Sequence, residues 1–346
     1  MLLVIFGAGA SYDSVPRLPP HDPKTAYEQF RPPLANQLFE DRFGGIKRSD
    51  HLPAIETRML PPNSVEAELE NLLLRAQGNP EIPKQLAAVR YYLQDVIAFC
   101  QRGWKQRIAN LGGATNYWSF IDEIEDWRQS VASVHDVFLV TFNYDTLLED
   151  ALGADSRFRM TFKNTGDYVS PTSHYKILKP HGSANWAYKL NTLPGLRERI
   201  SGSEVREAII DRFAMLQIPQ AIRIVNMSDF ASNEWLIPAL AIPVERSKTG
   251  FICPEDHMNA FSEFLPSAKK LVIVGWRAAE QTFLGMLTAG LSPDVRTRIV
   301  SRDHASAGDI GNRLREAGLK GELKPVVVNG FTEFTKKKRL GEFLNE

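Results

Sequence analysis

The chain opens on an unbroken apolar run, Leu2 to Phe6, which stops at a glycine. A run without polar alternation predicts a strand buried on both faces, as in a parallel sheet. Similar runs recur at 136–142, 175–180, 271–275, 298–300 and 325–328, with shorter strands expected at 222–225 and near 235–244. Between them the apolar positions take a helical period. Val65, Leu69, Leu72 and Ala76 make one stripe, Leu86, Val89, Leu93, Val96, Ile97 and Cys100 a second, and Phe120, Ile121, Ile124 and Trp127 a third. Each stripe reads as core packing. Further helices are expected over 144–152, ended by Gly153, and over 196–216, 276–289 and 306–317. Prolines crowd 15–62 and leave room for one short helix near 34–39. The basic run Lys336–Arg339 reads as a solvated chain end, and no internal repeat is visible.

Strands alternating with helices at both ends of the chain argue for an α/β fold, a Rossmann-like parallel sheet with a helical insertion. The expected division is 1–14 plus 131–346 for the sheet domain and 15–130 for the insertion. At 346 residues the chain has room for that division. Lys plus Arg and Asp plus Glu both number 41, so no overall field attracts nucleic acid or an anionic membrane. Two cysteines, Cys100 and Cys253, exclude a disulfide framework or a four-cysteine zinc site and favour a reducing cytoplasm. No apolar run reaches the ~18 residues of a spanning helix. The first ten residues lack the basic start of a signal peptide and read as structure.

Four segments are candidates for chemistry. Gly7-Ala8-Gly9-Ala10-Ser11 follows the first strand, where glycines let backbone N–H groups approach a diphosphate. The G-x-G-x-x-G fingerprint is incomplete, because position 12 is Tyr, and a plain tight turn reads as well. Thr141-Phe142-Asn143-Tyr144-Asp145 ends a strand and starts a helix. Asn143 and Asp145 suit a ligand site at a strand's carboxyl end, or equally a helix cap. His181, before Gly182, suits a general base near neutral pH, or a structural histidine. Gly275 and Trp276, and Ser301 after the next strand, could line an adenosine site or form ordinary turns.

Taken in order, these segments resemble the sirtuin superfamily, which reads G-A-G-x-S, T-x-N-x-D and H-G in that sequence, followed by a late glycine turn. The resemblance implies NAD as substrate, with no metal expected, and cleavage of its nicotinamide–ribose bond. It implies that Asn143 orients the sugar and the attacking water and that His181 acts as base. It gives Gly7 to Ser11 the diphosphate and Asp145 the carboxamide side, with Thr141, Gly275, Trp276 and Ser301 also on the dinucleotide. Ser301 stands where the family commonly has Asn, and Trp276 is bulkier than usual. The missing four-cysteine module and the large insertion look like the bacterial sirtuin-like proteins of anti-phage defence, which hydrolyse NAD to nicotinamide and ADP-ribose and stop the infected cell. That branch implies a homo-oligomer and a separate protein partner, such as a HerA-type ATPase or a nucleotide-processing enzyme, without membrane or direct nucleic-acid binding. A non-catalytic NAD-binding subunit and a zinc-less deacylase are the competing readings.

Overall fold

The computed structural model describes residues 1–14, 29–53, 64–76, 79–111, 115–130, 136–191, 201–244, 250–328 and 330–346. Strand β1 (Leu2–Phe6) is central in a six-stranded, all-parallel sheet. To one side lie β2 (Val137–Thr141) and β3 (Tyr175–Leu178); to the other lie β7 (Lys270–Val274), β8 (Arg296–Ser301) and β9 (Glu322–Val327). The fold is therefore the Rossmann-like α/β sheet that the apolar runs predict. Successive side chains of β1 point to opposite faces. Leu2, Val4 and Phe6 enter one core with Phe120, Ile121 and Ile124 of α4 (Asn116–Ser130) and Leu147 and Leu148 of α5 (Leu147–Ala154). Leu3 and Ile5 enter the other, with Phe261 of α7 (Glu255–Phe264), Leu284 of α8 (Gln281–Gly290) and Leu314 of α9 (His304–Glu316).

A second sheet, antiparallel, is built from β4 (Gly182–Lys189), β5 (Ile222–Ile224) and β6 (Leu236–Leu240) in the order β5-β4-β6. It packs with α6 (Gly202–Arg212) against Ala87, Ala88 and Tyr91 of α3 (Glu81–Leu111). Leu240 and Ile242 join the other side of α3 and the apolar stripe of α2 (Val65–Leu74). The antiparallel sheet packs on α2 and α3, and through Trp186 and Ala239 it also shares the core that α4 forms with the parallel sheet. Strand β4 is absent from the sequence reading, since His181–Trp186 looks there like a loop motif.

Other differences are local. The helix expected from 144 begins at Leu147, leaving 142–146 free to form a turn, and it runs through Gly153 to Ala154. The helix expected at 34–39 is a single 3₁₀ turn, Ala35–Gln37. The helix expected over 196–216 is described from Gly202, and its first residues fall outside the described ones. Most consequentially, the basic run near the carboxyl end joins two docked helices, α10 (Phe331–Lys336) and α11 (Arg339–Asn345). Lys336 to Arg339 are exposed, but Phe331, Phe334, Leu340 and Phe343 are buried in the parallel sheet's core. No helix among the described residues is long and apolar enough to cross a membrane.

Candidate functional site

Strand order reverses between β1 and β7, and open parallel sheets bind ligands at such a switch point, outside the carboxyl ends of the strands. Register puts the edges level, with Phe6 opposite both Thr141 and Val274. The turns after β1, β2 and β7 therefore leave side by side. A cleft of about 1150 Å³ lies along this edge and is lined by Gly7, Ala8, Gly9, Ser11, Asn143, Asp145, His181, Gly275, Trp276 and Ser301. That volume is ample for a dinucleotide, since small-molecule sites commonly run to about 300–1,000 Å³.

The glycines are needed first by one another. A Cβ on Gly7 would stand 2.5 Å from the Gly275 carbonyl oxygen, and one on Gly275, whose φ is +63°, 2.3 Å from the Ala10 nitrogen. No side chain fits between these turns. The backbone donors are used in the same contact: Gly7 N–H donates to Val274 (3.0 Å), Gly9 N–H to Gly275 (3.1 Å) and Ala10 N–H to Gly7 (2.8 Å). Ala8 is the exposed residue of the turn. Of the five residues expected around a diphosphate, Ala10 is fully buried in α1 (Ala8–Asp13) and is not part of the cleft wall.

Asn143 caps no helix. Helix α5 starts four residues later, and Asp145 accepts the Leu147 N–H at 3.1 Å. The Asn143 Nδ2 instead donates toward the Gly7 carbonyl (2.9 Å), Ser11 Oγ (2.8 Å) and the Tyr117 hydroxyl (3.0 Å). A carbonyl only accepts, so the Gly7 contact fixes which end of the amide is nitrogen and leaves Oδ1 as the acceptor for anything in the cleft. Thr141 stays behind the wall, its Oγ1 accepting the Asn143 N–H at 3.2 Å.

Asp145 lines the cleft, and its carbonyl oxygen and Oδ1 both accept hydrogen bonds. The fully buried Lys179 donates to its carbonyl oxygen (2.5 Å) and also pairs with Glu149 (2.8 Å). Burial raises the carboxyls of Asp145 and Glu149 above their ordinary range, while Lys179 opposes the shift. The geometry gives Asp145 the work of holding the turn.

His181 reaches the same cleft from the short link between β3 and β4. Gly182, at φ +78°, turns the chain where a Cβ would strike the Ala239 carbonyl at 1.9 Å. Tyr144 then joins the two motifs. Its carbonyl accepts the Ala184 N–H (2.7 Å), its hydroxyl donates to the Ala241 carbonyl (2.8 Å), and its ring centroid lies 6.3 Å from that of His181. The Ala241 N–H in turn holds the His181 carbonyl at 2.9 Å. Phe142 meets the imidazole edge-on at 5.0 Å. Burial lowers the His181 pKa from its ordinary value, opposed by Glu280 and Glu66, which also line the cleft, and by a hydrogen bond to the Phe142 backbone. The imidazole is therefore neutral at neutral pH, as a general base requires.

Trp276 stacks on Phe142 (5.3 Å, 2° between planes), meets Phe283 edge-on and donates to Glu280 at 2.7 Å. Its ring belongs to the core, and its bulk fills space behind the cleft. Ser301 Oγ is engaged with the backbone of Asp303, which caps α9.

The sequence reading gave no role to Tyr117, Tyr144, Glu66, Glu280 or Lys179, although Tyr144 and Lys179 stand beside the motif residues Asn143 and His181. Tyr117 stands one turn before the Phe120 stripe, so extending that stripe backward would have found it. Lys179 is legible as a charge ending an apolar strand. Glu66 and Glu280 carry no local signal. Among the described residues, no group of three His, Cys, Asp or Glu converges to hold a metal.

The sequence matches no protein-family model and no curated protein. Among solved structures, it is similar to one described as "Structural Basis for the Mechanism and Regulation of Sir2 Enzymes". The identity is 14% and the TM-score 0.39, over 99% of this chain and 92% of that one. A likeness of that degree says nothing of chemistry, which has to rest on the cleft's own residues.

Proposed function

We propose that the chain is an NAD+ glycohydrolase, releasing nicotinamide and ADP-ribose. The observation that carries this reading is the convergence of Asn143 and His181 on one cleft at the sheet's switch point, joined through Tyr144. The ordered resemblance of the motifs supplies the substrate class. The bond between nicotinamide and ribose breaks with its electron pair going to nicotinamide, which leaves neutral. The anomeric carbon gains oxocarbenium character, and water adds to it. Asn143 Oδ1 accepts a hydrogen bond from the sugar or from that water. His181 takes the proton that the water gives up. Ala8 and the glycine turns border the diphosphate, and Ser301 the far ribose.

The test is nicotinamide release from NAD by wild type, His181→Ala and Asn143→Asp, with folding checked by circular dichroism. Loss of a positioned base costs about 10²–10⁴ in rate, so His181→Ala should fall by that factor. Release by His181→Ala at the wild-type rate contradicts the assignment. The wider reading is that this activity depletes NAD in anti-phage defence, in the cytoplasm, within a homo-oligomer controlled by a partner such as a HerA-type ATPase or a nucleotide-processing enzyme. Light scattering with and without the product of a neighbouring gene tests it; a monomer indifferent to that partner contradicts it.

A further inference from the structure

We propose that Tyr117 is a positioning residue that fixes the Asn143 carboxamide, so that the helical segment before β2 helps to build the site. The inference rests on the NAD-cleaving reading for its effect on rate, but its geometry stands apart from that reading. Three acceptors surround the two hydrogens of Asn143 Nδ2: the Gly7 carbonyl, Ser11 Oγ and the Tyr117 hydroxyl. The Tyr117 hydroxyl is also 3.0 Å from Ser11 Oγ. The Gly7 carbonyl only accepts, which sets the amide nitrogen toward it, and either hydroxyl can donate to the other while both oxygens accept from Nδ2. The three partners hold the amide nitrogen toward the protein and Oδ1 away from it.

The tyrosine is itself rigidly held. It is 1% exposed, and Phe6 (5.1 Å) and Phe331 (5.6 Å) meet its ring edge-on. The residue before it, Asn116, anchors the start of α4: its N–H donates to the Ser14 carbonyl (2.8 Å), and its Nδ2 to the Asp13 carbonyl (2.5 Å) and Thr332 Oγ1 (2.7 Å). Burial pushes the phenol pKa well up, so the hydroxyl keeps its proton.

Tyr117→Phe keeps the ring and removes only the hydroxyl. Two readouts decide the matter. In the side-chain amide spectrum of ¹⁵N-labelled wild type, the Asn143 pair (assigned by its loss in Asn143→Asp) should exchange slowly with solvent, and in Tyr117→Phe it should shift and exchange at least tenfold faster. Nicotinamide release at saturating NAD should fall about tenfold, with KM changed less than twofold and the melting temperature held within a few degrees. Fast exchange of the wild-type pair, a pair unmoved by the substitution, or an altered pair with an undiminished rate each overturns the proposal. If wild type releases no nicotinamide, the NAD-cleaving reading fails, and the amide pair alone decides whether Tyr117 holds Asn143.

Discussion

The two walls of the cleft are made by different means. One comes from the parallel sheet: the turns after β1, β2, β7 and β8 emerge level because the strands are in register, and those after β1 and β7 touch backbone to backbone through Gly7, Gly9 and Gly275. The other brings His181 from the entrance to the antiparallel sheet, together with Leu34, Val65, Glu66 and Ile97 from the segment between β1 and β2. Its parts meet only because α2 and α3 pack on the second sheet. The first wall is fixed by strand geometry, which tolerates little change. The second is fixed by side-chain contacts across long sequence separations, which can be altered one at a time.

The hardest blow to the first wall should come from below it. Lys179→Met leaves the buried Glu149 without its cation, and breaking such a pair costs about 3–5 kcal/mol. Urea denaturation should register a loss of that size; a loss under about 1 kcal/mol would mean that the pair is not the wall's foundation. Next comes Gly275→Ala. A left-handed residue costs about 1–2 kcal/mol, and the clash with Ala10 costs about 1–3 more. Gly285, inside α8 with open space around it, is the contrast. Gly285→Ala should be neutral or stabilise by up to about 1 kcal/mol. Equal melting temperatures for the two alanine variants would contradict the tight contact between the turns after β1 and β7.

The ordering of these effects bears on what the sequence could reveal. The first wall was legible because each of its turns follows an apolar strand, and a glycine or Asn at a strand's end is a local signal. Gly7, Asn143 and Gly275 needed no knowledge of the fold. The second wall was legible at His181 alone, beside its glycine. Strand β4 was hidden because Gly182–Trp186 alternates poorly and its partners, β5 and β6, lie far along the chain. Tyr117 was hidden for a related reason: a helix stripe shows that a residue is buried, and says nothing of which hydroxyl its partner is. The close approach of Gly7 and Gly9 to Gly275 was also hidden, since spacing cannot tell approach to a ligand from approach to another turn.

Smaller effects sharpen the contrast. Burial lowers the His181 pKa from the ordinary imidazole value, so nicotinamide release should hold between pH 8 and neutrality and its acid limb should lie below that ordinary value. Glu280 favours the protonated imidazole; removing its charge lowers the histidine pKa further. Glu280→Gln should therefore move the acid limb of the rate profile to lower pH while still accepting from Trp276. An acid limb that moves upward would contradict the electrostatics. Arg277 and Glu66 join the walls at the cleft's mouth through a pair at 2.7 Å, with the arginine largely exposed. Arg277→Ala should cost no more than about 1 kcal/mol, read by thermal melting.

The central claim is tested most directly by a crystal structure of the His181→Ala variant grown with NAD. The account predicts the nicotinamide ribose beside the Asn143 carboxamide oxygen, its anomeric carbon facing the space the imidazole has left, and the diphosphate over Ala8 and the Gly7–Gly275 contact. A dinucleotide bound outside this cleft, or lying in it with the nicotinamide ribose away from both residues, would contradict it.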